Sequence, residues 1–218
     1  MSELPREKVA FYSDSLEQIR LEGILEVPEG EGPHPGCILC HPHPVGGGSM
    51  HVTLLAVMSE VLTAEGWACL RFNFRGVGNS TGDSTGGLRE PEDIQGAYLF
   101  LQGREEIDSG DLALAGWSFG SWVGLRWAVK GGRCRRLALV SPPMVGFDFF
   151  YFLEEEKVSI PPDVLVVAGS RDQFSDLRKL QDLASRLGAE LCLIEGADHF
   201  LFGREREVAQ AIARHWKR

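Results

Sequence analysis

The feature that most constrains this chain is a regular alternation between two kinds of apolar run. Short continuous runs occur at Gly36 to Cys40, Trp67 to Phe72, Leu112 to Gly116, Leu137 to Val140, Val164 to Ala168 and Leu191 to Ile194, and most of them lack a polar face. Strands that are apolar on both sides belong in a parallel sheet covered by helices. Between these runs lie segments with helical spacing. Met50 to Glu65 places Leu54, Leu55, Met58, Val61 and Leu62 on one side. Similar stretches follow near Pro91 to Leu101, Phe119 to Val129 and Ser175 to Leu187, and Arg204 to Trp216 closes the chain. Pro91 suits a first helical turn, and Glu92 and Asp93 suit the positive end of that helix. Lys8 to Phe11 and Leu21 to Val27 read as an antiparallel entry to the sheet. The expectation is a three-layer α/β/α fold with a mostly parallel central sheet of about eight strands. Ligands of such sheets bind at the carboxyl ends of the strands.

Composition narrows the function classes. At 218 residues the chain fits one domain, 1–218. Its 44% hydrophobic and 24% charged residues exclude disordered, collagenous and transmembrane classes. The 22 Lys+Arg against 31 Asp+Glu leave a net charge of −9, a field that repels a phosphate backbone, so no nucleic-acid partner is expected. Met1 to Asp14 carries Glu3, Arg6, Glu7 and Lys8 and lacks the apolar core of a signal peptide, which points to a cytoplasmic protein with no membrane partner. Cys37, Cys40, Cys69, Cys134 and Cys192 are odd in number and mostly sit inside apolar runs, where they read as small packed hydrophobes and not as a disulfide framework. Cys37-Ile38-Leu39-Cys40-His41 matches the haem-attachment pattern, but Ile38 and Leu39 continue a buried strand and attachment requires export, so the packing reading is preferred.

Gly-x-Ser-x-Gly occurs three times, around Ser80, Ser84 and Ser118. Only Ser118 lies between an apolar strand, Leu112 to Ala115, and a helical run, the context of a nucleophile elbow. A serine hydroxyl needs a histidine to take its proton and a carboxylate to orient that histidine. Of the histidines after Ser118, His215 sits in the charged terminal helix, whereas His199 follows the strand Leu191 to Ile194 on a loop. Asp172, in the loop after Val164 to Ala168, is the expected acid, and Asp198 is its rival, adjacent to His199 and poorly placed to face it. His41 and His43 are spaced like two metal ligands but have no evident third, so His41 is expected to bond backbone and no metal is expected. Gly46-Gly47-Gly48 lacks the lysine and spacing of a phosphate-binding loop. Arg75 is read as a tie between neighbouring loops, and Gly76 to Ser80 as a tight loop bordering the pocket.

With these residues in family order, the chain resembles the α/β-hydrolase superfamily over nearly its whole length. His41-Pro42-His43-Pro44 before Gly46-Gly47-Gly48, together with Arg71-Phe72-Asn73-Phe74-Arg75-Gly76-Val77-Gly78, is similar to a small bacterial branch near dienelactone hydrolases. The resemblance implies an α/β hydrolase fold without a large cap domain and an esterase-type enzyme without metal or organic cofactor. It also implies two oxyanion amides, one from Phe119 and one from the loop after Gly36 to Cys40. Many relatives carry His-Gly where this chain has His41-Pro42, and proline has no N–H, so His43 is the nearest donor, with Val45 behind it.

The expected activity is hydrolysis of short-chain carboxylic esters through Ser118, His199 and Asp172. Amide, peptide or thioester cleavage on the same constellation remains open, as does a silent binding protein that keeps the fold. The partner expected is a small-molecule ester; the chain reads equally as monomer or homodimer. The aromatic-rich insert at about 142–162, with Phe147, Phe149, Phe150, Tyr151 and Phe152 before Glu154-Glu155-Glu156, reads either as a lid or as a helix packed on the core. The lid reading puts Phe147, Phe149 and Phe150 in the substrate pocket.

Overall fold

A computed structural model describes residues 6–154 and 158–217; Glu3, Glu155 and Glu156, singled out above, lie outside the described residues. Thirteen regular elements follow in order: β1 Arg6–Tyr12, β2 Arg20–Glu26, β3 His34–Cys40, α1 Thr53–Ala64, β4 Ala68–Phe72, α2 Glu90–Gln102, β5 Ile107–Trp117, α3 Phe119–Val129, β6 Arg136–Val140, β7 Asp163–Gly169, α4 Leu177–Leu187, β8 Glu190–Ile194 and α5 Glu205–Trp216. The eight strands form one sheet in the order β1-β2-β4-β3-β5-β6-β7-β8. β1 and β2 pair antiparallel, as does β2 with β4, and all later pairs are parallel.

The continuous apolar runs divide between two cores. In β5, Leu112 and Leu114 face α2, α3 and α4, while Ala113, Ala115 and Trp117 face α1 and α5. β3, β6 and β7 alternate in the same way, which explains why these strands show no polar side. The sequence places the start of β5 at Leu112, yet the strand begins at Ile107. Its first half, Asp108 to Asp111, is polar and largely exposed: Ile107 and Asp108 pair with His34 and Pro35, the register then shifts, and Asp111 accepts from Arg136. α1 likewise starts at Thr53 and not Met50, because Met50 is held from both sides. Its N–H donates to Asn73 Oδ1 at 2.7 Å and its carbonyl accepts from Arg71 at 2.9 Å. α4 starts at Leu177 because the Asp176 side chain caps it, accepting from the Arg178 and Lys179 amides.

The described residues contain no cap domain. Between β6 and β7 they form only one short 3-10 turn, Tyr151–Leu153. No helix among the described residues is long and apolar enough to cross a membrane. The carboxyl ends of β3, β5 and β7, and the loop that follows β8, therefore open directly on one edge.

Candidate active site

Ser118 stands at the junction of β5 and α3 with φ 53 and ψ −115, a left-handed conformation that is rare and strained for a side chain with a Cβ. The Ser118 N–H donates to the Val140 carbonyl at 2.8 Å, pinning the turn to the neighbouring strand. A Cβ on Gly116 would collide with the Gly120 carbonyl, and one on Gly120 with the Cys40 carbonyl, so close backbone approach explains both glycines of the motif. The Ser118 side chain does not cap α3, and its hydroxyl points out of the turn.

Its partner is His199, whose Nε2 lies 3.0 Å from Ser118 Oγ. On the far side of the ring, Nδ1 stands 2.9 Å and 3.0 Å from the two Asp172 oxygens. A nitrogen facing a carboxylate carries the proton, so the Nδ1–H donates to Asp172 and Nε2 keeps the lone pair facing the serine. Asp172 is buried, and its Oδ1 also accepts the Phe174 N–H at 2.8 Å. His199 is fixed through its main chain: its N–H donates to Gln173 Oε1 at 3.3 Å and its carbonyl accepts from Trp117 Nε1 at 3.4 Å. Phe174 and Phe200 close on the imidazole edge-on, with ring centroids 4.8 Å and 5.7 Å away.

The rival groups are occupied elsewhere. Asp198 Oδ1 accepts the Phe200 and Leu201 amides. His215 bonds Asp163 and Glu190. Ser80 donates to the Asn73 carbonyl and Ser84 to Glu90. Buried His41 accepts the Phe74 N–H at Nε2 and donates from Nδ1 to the Pro42 carbonyl, and burial pushes its pKa down to about 4. Among the described residues, no three His, Cys, Asp or Glu side chains gather where they could hold a metal ion.

Of the expected amides, Phe119 opens α3, where a helix leaves its first N–H groups without internal partners. The Val45 N–H turns back onto the His43 ring at 3.2 Å, and the His43 carbonyl accepts from Gly46 and Gly48. The His43 ring packs on Phe119, with centroids 4.8 Å apart, and forms part of the wall above the serine.

Ser118 and His199 border a cleft of about 590 Å³. Phe147 lines it, as expected; Phe149 and Phe150 do not. Phe149 is fully buried in the core on the α3 and α4 side, and Phe150 lies over the Arg186 guanidinium at 4.9 Å. The cause is Asp148, whose Oδ1 accepts both the Phe150 and Tyr151 amides and winds the chain into a tight turn that sends successive rings in different directions. Phe152 is buried against Trp122 and Tyr151 faces solvent. The missing aromatic walls come from Phe174, Phe200 and Phe202. Their adjacency in sequence to Asp172 and His199 was the available signal. Nor does Gly76 to Ser80 border this cleft: Asn79 bonds Glu22 and lines a separate depression beside β1 and β2.

Residues 37–217 match the family model described as an alpha/beta hydrolase domain. The chain belongs to the α/β hydrolase family. An uncharacterised protein of Rickettsia prowazekii is 29% identical over 185 residues, covering 82% of this chain and 76% of that one. An α/β serine hydrolase homologue from Coxiella burnetii superposes with a TM-score of 0.81 at 27% identity, covering 95% of this chain and 96% of that chain. An α/β serine hydrolase without lid from Xanthomonas campestris superposes with a TM-score of 0.82 at 27% identity over 100% of this chain and 97% of that chain. The described residues of this α/β hydrolase form no cap domain, and the Xanthomonas structure is without lid.

Proposed function

We propose that this α/β hydrolase is a serine esterase of small, short-chain carboxylic esters. The observation that carries the reading is the 3.0 Å contact between Ser118 Oγ and His199 Nε2, backed by Asp172 and placed on an apolar cleft. Ser118 Oγ attacks the ester carbonyl while Nε2 takes its proton, and Asp172 stabilises the imidazolium that forms. The Phe119 and His43 amides receive the oxyanion. Collapse of the tetrahedral intermediate releases the alcohol, which takes the proton back from His199 and leaves an acyl group on Ser118. Water, deprotonated by the same histidine, then frees the acid and restores the serine.

The size preference follows from the walls. Without a cap the cleft is open to solvent, and its apolar lining includes Val145, Phe147 and Phe202. Each buried methylene contributes ~0.8 kcal/mol, so kcat/KM rises over the first carbons of an acyl chain and levels off near C6. A panel of p-nitrophenyl esters from acetate upward, run beside aminoacyl anilides, tests both parts. Ester turnover that levels off near C6 supports the reading. A steady rise to about C12 overturns the size preference, and faster anilide cleavage overturns the ester class.

A further inference from the structure

Among the described residues that line the cleft above Ser118 there is no lysine or arginine, and the one acidic residue is Glu205. Glu205 opens α5 and is half-buried. Its neighbours in sequence do not neutralise it. Arg204 bonds Glu207 and the Glu195 carbonyl, and Arg206 bonds Glu60. Among the described residues no side chain pairs with the Glu205 carboxylate. The α5 dipole favours an acidic residue in this turn, but that does not require one in the lining of an apolar cleft without a counter-ion.

Phe174, Phe200 and Phe202 line the same cleft. Phe200 and Phe202 stack with centroids 5.6 Å apart, and Phe174 meets Phe200 edge-on at 6.3 Å. All three are partly open, at 39%, 40% and 74% exposure for Phe174, Phe200 and Phe202. The two histidines of the cleft do not supply the missing positive charge. The His43 Nδ1 accepts an N–H, and the His199 Nε2 faces a hydroxyl. Partly exposed aromatic rings sharing a cleft with one unpaired carboxylate are the chemistry that holds an alkylammonium group, by cation–π attraction and by charge. The same carboxylate repels substrates that carry a second carboxylate.

We propose that Glu205 is a specificity-determining residue that selects esters bearing a cationic alkylammonium group, with Phe174, Phe200 and Phe202 as the surface on which that group rests. The inference rests on the esterase reading above. It names the substrate class and adds nothing to the chemical steps.

The test compares isosteric esters in wild type and Glu205→Gln. Butyrylcholine is paired with 3,3-dimethylbutyl butyrate, which places the charge on the alcohol side. The ethyl ester of 4-(trimethylammonio)butyric acid is paired with ethyl 5,5-dimethylhexanoate, which places it on the acyl side. Intrinsic reactivity of the charged esters cancels when the charged-to-neutral ratio of kcat/KM is compared between the two proteins. For at least one pair that ratio falls about fivefold to thirtyfold in Glu205→Gln, and the wild-type ratio shrinks with added salt. A ratio unchanged within about twofold for both pairs, while the neutral esters are hydrolysed, overturns the assignment of Glu205 and leaves the esterase reading standing. If no ester is turned over, the esterase reading fails by itself. Choline and 3,3-dimethylbutanol titrated into Ser118→Ala, with and without Glu205→Gln, then decide the site: choline affinity that drops with Glu205→Gln supports it, and unchanged choline affinity overturns it.

Discussion

Two polar regions lie on the carboxyl side of the sheet and use the same residue types to opposite ends. In the loop between β4 and α2, polar groups are saturated. Buried Arg75 donates to Asp93 at 2.7 Å and 3.0 Å, to Glu92 at 3.0 Å and to Ser13 at 3.0 Å. Buried Glu90 accepts from Ser84, from the Thr85 hydroxyl and from the Thr85 and Gly87 amides. Burial alone would raise the Glu90 pKa; these bonds, the Thr85 ones foremost, outweigh it and hold the carboxyl below its ordinary value. At the cleft, by contrast, the strained Ser118 and Glu205 border open space. Buried polar groups with every valence satisfied fix a structure, and those left unsatisfied beside a cavity are available to a ligand. Serine, carboxylate and glycine occur in both regions, so their presence alone does not distinguish scaffold from chemistry.

That contrast predicts different costs for removing a residue from each region. The largest effect is Ser118→Ala, which lowers kcat by about 10⁵- to 10⁶-fold while the thermal midpoint moves by no more than a few degrees; esterase assays and calorimetry on one preparation check both halves. Comparable turnover in the variant would remove Ser118 from the mechanism. Next, Arg75→Met leaves Asp93 buried without its counter-ion and costs about 3–5 kcal/mol in urea unfolding, with kcat per folded molecule little changed. A loss below about 1 kcal/mol would show that the saturated loop is not what holds this edge.

His41 gives a pH test of the same contrast. The unfolded chain titrates this imidazole near 6.5 and the folded chain at about 4. Between those values the unfolded state binds a proton that the folded state refuses, so stability falls as pH drops from 6.5 to 4, by about 3 kcal/mol in all. Above pH 6.5 the contribution is fully present. His41→Gln removes this part of the acid slope in a pH series of urea midpoints; an identical slope in both proteins would contradict it. The smallest effect is Phe202→Ala. This ring is 74% exposed, so its loss leaves stability nearly unchanged. It lowers kcat/KM about threefold to tenfold for a hexanoate ester and less for acetate. Equal loss on both esters would detach Phe202 from the acyl preference.

The sequence carries much of the fold because the strands buried on both faces leave an unbroken apolar signal, and because the Ser118 elbow needs glycines whose side chains would collide with backbone. It carries less of the polar half of β5, which is largely exposed and leaves no apolar signal. The directions of Phe149 and Phe150 were not legible either, since the Asp148 turn, and no period, decides where each ring points. Glu205 reads in sequence as one more acid at a helix start; only the meeting of α5 with the loops after β5 and β7 brings it to the cleft.

The central claim is that Ser118 is a nucleophile activated by His199. A fluorophosphonate probe, followed by intact-mass and peptide analysis, tests it without any assumption about substrate. The account predicts one adduct per chain, located on Ser118, absent from Ser118→Ala and formed at least about 10³-fold more slowly in His199→Ala. A folded wild-type protein that takes no label, or that carries it on Ser80 or Ser84, would contradict the account.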